Sequence, residues 1–262
     1  MIEIRNLEIG DFDELRGGIA ELFKTCFGET LDRPLWEWAY LKNPTGIPII
    51  VVALENGIVI GHYAMIPMPF VQDNLQHVGY LSMTTMVHPD YRKYGLFQEL
   101  ASVAYSKALP GTFVYGFPNS NSAPGFKKRL EWEIFDKYQI ATISSKTLTD
   151  YLGSKAANSS SSLDMLDNKF INWRFSKPGA KYYADKNIVY KEYNGEIDIL
   201  TAVQGSPSIF MGSKKKFNIL TSDESVTNAA SALQKYQFGY RNFNSSMNLS
   251  SLSPTLLMSD VF

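Results

Sequence analysis

The sequence has very few of the residues that build disulfides and metal sites. Its 262 residues include a single cysteine, Cys26, and three histidines. One cysteine forms neither an intramolecular disulfide nor a thiolate zinc site, so we expect no metal centre and a reducing compartment, the cytoplasm. With 45% apolar residues, a chain of this length can bury a core without such links.

Strong net charge and long apolar runs are also missing. The formal net charge is -1, which argues against a nucleic acid as partner. The most apolar stretch, 47–54, is far shorter than the roughly 20 residues that cross a bilayer. The first residues alternate charged and apolar side chains, unlike a secretory signal. We therefore expect a globular protein with no nucleic-acid or membrane partner, and the composition favours no particular oligomeric state.

Hydrophobic periodicity predicts alternating helices and strands. Helical spacing covers 11–27, 35–41, 95–108, 124–130 and 225–236, and strand patterns cover 49–54, 58–65, 80–87, 113–117, 188–193, 197–202 and 217–220. A stretch with four consecutive serines, 153–162, is typical of a linker. We expect an α/β fold divided into 1–150, a linker at 151–165, and a C-terminal half at 166–262.

A short motif occurs in both halves of the chain. Trp38 to Pro44 reads W-A-Y-L-K-N-P, and Trp173 to Pro178 reads W-R-F-S-K-P. The recurrence indicates that the second half is a degenerate copy of the first that extends its sheet. The alternative is that an aromatic helix end before a proline recurs by chance.

The segment that carries chemistry is 87–97, V-H-P-D-Y-R-K-Y-G-L-F, between a predicted strand and a predicted helix. A glycine such as Gly95 lets a backbone approach a ligand closely, and the first N–H groups of a helix bind anions. Arg92 adds a guanidinium suited to phosphate. No G-x-G-x-x-G follows the first strand and no G-x-x-x-x-G-K-[ST] occurs. The segment predicts a pyrophosphate site of another kind.

The order of strand, V-H-P-x-Y-R-x-x-G, helix, strand and second short helix resembles the pyrophosphate motif of the GNAT N-acetyltransferase superfamily, which binds acyl-coenzyme A. The resemblance covers about residues 4–132. It implies a mixed, mostly antiparallel sheet flanked by helices, a degenerate GNAT-like C-terminal half, and acetyl-CoA or another short acyl-CoA as cofactor. Phe97 departs from the pattern, because family members usually have glycine or alanine there, so its ring must point away from the phosphates.

The resemblance also implies which residues hold the cofactor. Backbone groups of Met86 and Val87 would pair with the pantetheine arm as an added strand does. Asn119 and Phe126 would flank the thiol end. The residues expected around the pyrophosphate are Arg92, Lys93, Tyr94, Gly95, Leu96 and Phe97.

The implied reaction transfers an acyl group from a thioester to a neutral amine, which needs a proton acceptor. Many relatives carry a glutamate on the strand before the motif, where this chain has Leu81. The substitutes are His62, whose ordinary pKa is near neutrality, and Tyr80, acting through water or as acid for the thiolate. A third is the terminal carboxylate of Phe262, by similarity to mycobacterial aminoglycoside acetyltransferases. A structural role is the alternative for each.

An aromatic cluster precedes these strands: Trp36, Trp38, Tyr40 and Tyr63. Such rings stack on bases and sugars, although at helical spacing they also build cores. Together with the segments around Pro44 and Pro118, they look like acetyltransferases of bacterial surface polysaccharide synthesis. That similarity implies a nucleotide-linked amino sugar as the substrate, such as a dTDP-3-amino-3,6-dideoxyhexose. An aminoglycoside acetyltransferase and a non-catalytic acyl-CoA sensor are the alternatives.

Overall fold

The computed structural model describes residues 1–154, 162–185, 188–202 and 210–259, so the candidate base Phe262 lies outside the described residues. The α-helices of this part of the chain are α1 (Asp11–Phe27), α2 (Arg33–Trp36), α3 (Leu96–Lys107), α4 (Ala123–Arg129), α5 (Ser145–Ser154), α6 (Asn168–Phe175) and α7 (Glu224–Ala229). A π-helical turn, Glu37–Leu41, continues α2, and a 3-10 turn, Pro89–Tyr94, precedes α3. None of the helices within the described ranges is both long enough and apolar enough to cross a membrane.

The strands are β1 (Ile2–Asn6), β2 (Ile49–Glu55), β3 (Ile58–Gln72), β4 (Leu75–Val87), β5 (Thr112–Gly116), β6 (Glu133–Phe135), β7 (Gln139–Ile143), β8 (Ser162–Leu163), β9 (Tyr182–Asp185), β10 (Ile188–Tyr193), β11 (Glu196–Ala202), β12 (Phe217–Thr221), β13 (Ala232–Lys235) and β14 (Phe238–Phe243). They form one sheet in the order β1-β2-β3-β4-β5-β14-β6, with β8 beside β3, and a second in the order β13-β7-β12-β11-β10-β9. The named strands pair antiparallel except for β4 with β5 and β11 with β12. The expected mixed, mostly antiparallel α/β fold is confirmed.

The two halves of the chain exchange a strand. In each sheet an antiparallel meander, β2-β3-β4 or β9-β10-β11, is followed by a strand parallel to its last member, β5 or β12. The place beside β5 is taken by β14 from the second half, and the place beside β12 by β7. The edge strands β6 and β13 then pair with these exchanged strands. The second half thus repeats the strand order of the first, and each sheet contains a strand from the other half.

The two tryptophans of the repeated motif lie against each other. Trp38 and Trp173 stack with ring centroids 4.6 Å apart and planes 10° apart. Trp38 Nε1 donates to the carbonyl of Trp173 at 2.6 Å, and Trp173 Nε1 donates to the carbonyl of Trp38 at 2.8 Å. Reciprocal contacts of this kind, in which both residues make the same hydrogen bond to each other, are typical of two-fold symmetry. The pair therefore relates α6 to the turn after α2 as equivalent elements.

Two local predictions differ from the structure. The helix expected over 225–236 ends at Ala229, and 232–235 form β13, because pairing with β7 fixes this segment as an edge strand. Within the expected linker, 151–154 complete helix α5 and 162–163 pair with β3 as β8. The predicted serine-rich centre, 155–161, lies outside the described residues.

Candidate active site

Strands β4 and β5 run side by side for three residue pairs and then separate. Their parallel pairing joins Gly79 to Phe113, Tyr80 to Val114, and Leu81 to Tyr115. A cavity of about 840 Å³ begins where they part, lined on one side by residues 82–85 of β4 and on the other by 116–119. An extended ligand arm can lie in such an opening and bond to the strand backbone as an added strand does.

The point where the strands part leaves little room for a side chain at Gly116. A Cβ on Gly116 would lie 3.3 Å from the carbonyl oxygen of Ser82 and 3.4 Å from the ring of Trp132. A chain of three hydrogen bonds, each 2.9 Å long, begins here. Ser82 Oγ bonds to the Tyr63 hydroxyl, which bonds to the Tyr105 hydroxyl. The Tyr105 hydroxyl also accepts from Trp132 Nε1. This partly buried chain links Ser82 on β4 to Trp132, and both residues line the cavity.

A bulge interrupts β4 inside the cleft. Ala64 pairs with Met83 and His62 with Met86, so two residues of β4, Thr84 and Thr85, face a single residue of β3. Thr84 has φ of +46°, which is rare for a β-branched residue. Its side chain Oγ1 lies 2.8 Å from the Tyr40 hydroxyl, and its carbonyl oxygen lies 2.8 Å from His62 Nδ1.

The candidate proton carriers His62 and Tyr80 are both buried, and neither lines the cavity. Burial lowers the pKa of His62 to about 4, so the imidazole is neutral at pH 7. Tyr80 hydrogen-bonds to the backbone of Leu109, and burial raises the pKa of its hydroxyl. The structure thus places these two side chains outside the cleft in which the chemistry would occur.

The predicted phosphate turn lies at one end of the cleft. Gly95 has φ of +77° and directly precedes α3, and a Cβ there would meet nothing within 4 Å, so glycine is needed for its conformation and not for space. Arg92 lines the cavity and donates from Nε to the carbonyl of Val87 at 3.3 Å. Phe97 also lines the cavity, and its ring packs on Phe126 with centroids 5.2 Å apart.

The remaining candidate cofactor residues divide into three groups. Val87, Asn119 and Phe126 line the cavity, and Asn119 Oδ1 accepts the N–H groups of 121 and 122, which shapes the turn before α4. The side chains of Met86 and Leu96 are buried, so that only their backbone groups are suited to contact a ligand. Lys93 and Tyr94 are exposed on the turn.

The four aromatic residues expected to contact the acceptor belong to the core. Trp36, Trp38, Tyr40 and Tyr63 are at most 2% exposed, and none lines the cavity. Trp36 and Tyr40, four positions apart, pack on each other in the core, and Trp38 stacks on Trp173. Tyr63 lies on a strand whose two faces are both covered. The structure assigns these rings to packing and not to the cavity surface.

Three cavity residues carry no motif in the sequence. Glu29 follows α1, Arg129 ends α4, and Tyr236 lies between β13 and β14; all three line the cavity. Their positions depend on how distant segments meet. Tyr236 in particular reaches the cleft only because β14 crosses into the first sheet.

Comparisons with known proteins agree with this geometry. Residues 3–135 match the family model described as "Acetyltransferase (GNAT) domain", and no curated protein sequence matches the chain. A conserved protein from Enterococcus faecalis V583, described as a "Probable N-Acyltransferase", superposes with a TM-score of 0.62 at 12% identity, covering 96% of this chain and 75% of that one. A GCN5-related N-acetyltransferase from Kribbella flavida gives a TM-score of 0.62 at 11% identity, covering 93% and 72%.

The chain belongs to the GNAT acetyltransferase family and is an acyl-CoA-dependent N-acyltransferase, for which acetyl-CoA is the cofactor. The residues present fit that cofactor. The opening between β4 and β5 suits an extended arm, and the Gly95 turn with Arg92 suits a pyrophosphate.

Proposed function

We propose that the protein acylates the amino group of a nucleotide-linked amino deoxysugar, such as a dTDP-3-amino-3,6-dideoxyhexose, with acetyl-CoA or a short hydroxyacyl-CoA as donor. When bound, the cofactor supplies the thioester whose acyl group is transferred to the amine, while CoA leaves as the thiol. The chain's own residues must then hold an acceptor that combines phosphates, hydroxyl groups and one amine.

The charges that line the cavity support an anionic acceptor. Among the described residues of the lining, the charged side chains are Arg92, Arg129 and Glu29. A polycationic aminoglycoside favours an acidic surface, whereas the described side chains that line this cavity carry more positive than negative charge. Arg92 lies beside the phosphate turn, whereas Arg129 lies at the end of α4 and is available for the phosphates of the acceptor.

A polar groove beside the cavity provides room for the sugar. Its volume is about 420 Å³, and it shares Tyr236 and Ser259 with the cavity. On its floor, Asn218 Nδ2 donates to Glu196 Oε2 and Asp198 Oδ1 at 2.9 Å each. Ionised carboxylates accept hydroxyl protons strongly, and the ring of Tyr236 offers a flat face at the junction. This adjoining groove is the observation that carries the sugar assignment.

Glu29 is the carboxylate that we assign to binding the amine and accepting its proton. It is exposed at the cavity wall, next to Phe27 in the lining. An amine reaches the thioester as the neutral species, so a carboxylate at the entrance can bind the ammonium form and accept its proton. This role replaces the glutamate that relatives carry on the strand before the motif.

The test is thiol release from acetyl-CoA, and then from hydroxybutyryl-CoA, with dTDP-linked 3-amino and 4-amino deoxysugars and with an aminoglycoside as acceptors. We expect turnover with a sugar nucleotide. In Arg129→Gln the KM for the sugar nucleotide should rise about tenfold, equivalent to about 1.4 kcal/mol, while the KM for acetyl-CoA stays the same.

Lys128→Gln is the matched control, because Lys128 is the exposed neighbour of Arg129 and does not line the cavity. Its kinetics should equal those of the wild type. Release only with the aminoglycoside would replace the proposed acceptor. Binding of acetyl-CoA without release by any amine would favour a sensor.

A further inference from the structure

The bulge of β4 contains a strained backbone conformation that neighbouring contacts must stabilise. Thr84 has a φ of +46°, and this backbone conformation costs a residue with a branched Cβ about 1–3 kcal/mol of conformational free energy. The bulge also removes one regular pairing position between β3 and β4. Backbone strain of this kind persists only where other contacts fix it, and it concentrates at functional sites.

Two buried polar side chains are both directed to this one residue. His62 is 0% exposed and Tyr40 is 2% exposed, although they lie among apolar core residues. His62 Nδ1 is 2.8 Å from the Thr84 carbonyl oxygen, and the Tyr40 hydroxyl is 2.8 Å from Thr84 Oγ1. Because a carbonyl oxygen only accepts, Nδ1 carries the imidazole proton. The histidine therefore replaces the hydrogen bond that the strand pairing lacks at the bulge.

We infer that His62 is a positioning residue: by donating from Nδ1 to the carbonyl of Thr84, it holds the bulge of β4 in the conformation in which residues 83–85 line the cleft. This inference rests on the proposed acyl transfer, and it assigns His62 a role other than proton transfer.

The second imidazole nitrogen supports this assignment. His62 Nε2 is buried and has no hydrogen-bond partner among the described residues. It does not line the cavity, so neither nitrogen meets an amine or a thiolate. A proton carrier needs reach to a reacting atom, directly or through one water, whereas a positioning residue needs only its bond to the strand.

The test compares two replacements of His62. The amide nitrogen of asparagine occupies nearly the place of Nδ1, so His62→Asn keeps a donor to Thr84, whereas His62→Leu removes it. We expect kcat to fall by about tenfold to a hundredfold in His62→Leu and by less than about threefold in His62→Asn, with the acetyl-CoA KM nearly unchanged in both. His77→Asn, at the opposite end of β4, should match the wild type.

A second readout uses the cofactor-free protein. Hydrogen–deuterium exchange of a peptide covering residues 82–86 should be faster in His62→Leu and close to wild type in His62→Asn. Equal losses of kcat in both variants would instead make His62 a proton carrier, and unchanged exchange in His62→Leu would also overturn the inference. If the wild type released no thiol with any amine, the proposed function would fail, and the exchange experiment would still decide the role of His62 in the bulge.

Discussion

Gly95 offers the sharpest test of where the cofactor binds. It precedes the first turn of α3 with φ of +77°, and a Cβ there would meet no atom within 4 Å. Gly95→Asp therefore adds a negative charge beside the turn with no steric clash. Gly95→Asn adds nearly the same shape without the charge, and both residue types tolerate the left-handed conformation better than others do.

The expected loss of affinity follows from this difference. Both substitutions share the backbone strain of a positive φ, of order 1 kcal/mol, so their stabilities should be similar. A carboxylate about 5 Å from a pyrophosphate of charge about -2 is repelled by roughly 1.7 kcal/mol even at the dielectric constant of water. That energy corresponds to a weakening of acetyl-CoA binding by more than tenfold.

Calorimetric titration with acetyl-CoA at low and high salt measures this effect. The Kd of Gly95→Asp should exceed that of Gly95→Asn by more than tenfold at low salt, and the gap should narrow as salt screens the repulsion. Gly111→Asp is the control, because Gly111 also has a positive φ, +81°, and open space, but it follows the C-terminal end of α3, whereas Gly95 precedes the N-terminal end. Equal affinities for the two Gly95 variants would refute the placement of the pyrophosphate at this turn.

Two further predictions concern stability. Burial lowers the pKa of His62 from 6.5 to about 4. Between pH 6.5 and about pH 4 the imidazole is therefore protonated in the unfolded chain but not in the folded one. The free energy of unfolding consequently falls as the pH drops through this range. The loss is up to about 3 kcal/mol, and denaturant titrations of His62→Asn should show a correspondingly smaller loss; identical pH dependence would contradict the buried neutral state. Trp38→Phe and Trp173→Phe each remove one of the reciprocal hydrogen bonds and should each cost about 1–2 kcal/mol. A double-mutant cycle should show coupling above about 0.5 kcal/mol, and strict additivity would count against a paired contact.

The local parts of the fold could be predicted from the sequence because the signals are local. The turn at Gly95 follows from one glycine between a strand and an amphipathic helix, and in the structure this glycine adopts a positive φ. The hairpin between β2 and β3 follows in the same way from Asn56 and Gly57, which both adopt positive φ. Such features depend on a few neighbouring residues, so the pattern determines them.

The exchange of strands has no local signal. Residues 238–243 show nothing in their own sequence that selects β5, more than 120 positions earlier, as partner. The aromatic residues were ambiguous for a related reason: helical spacing places Trp36 and Tyr40 on one face, but only the packed structure decides whether that face meets the sheet or a ligand. The positions of cavity residues such as Arg129 and Tyr236 depend in the same way on the pairing of distant strands and on the packing of helices.

The most direct test of the account is thiol release from acetyl-CoA, measured with and without an amine, for the wild type and Gly95→Asp. The account predicts release that requires the amine, equals the amount of N-acetylated product, and at limiting acetyl-CoA falls by more than tenfold in the variant. Absence of both acetyl-CoA binding and thiol release in the wild type, with every amine tested, would contradict it.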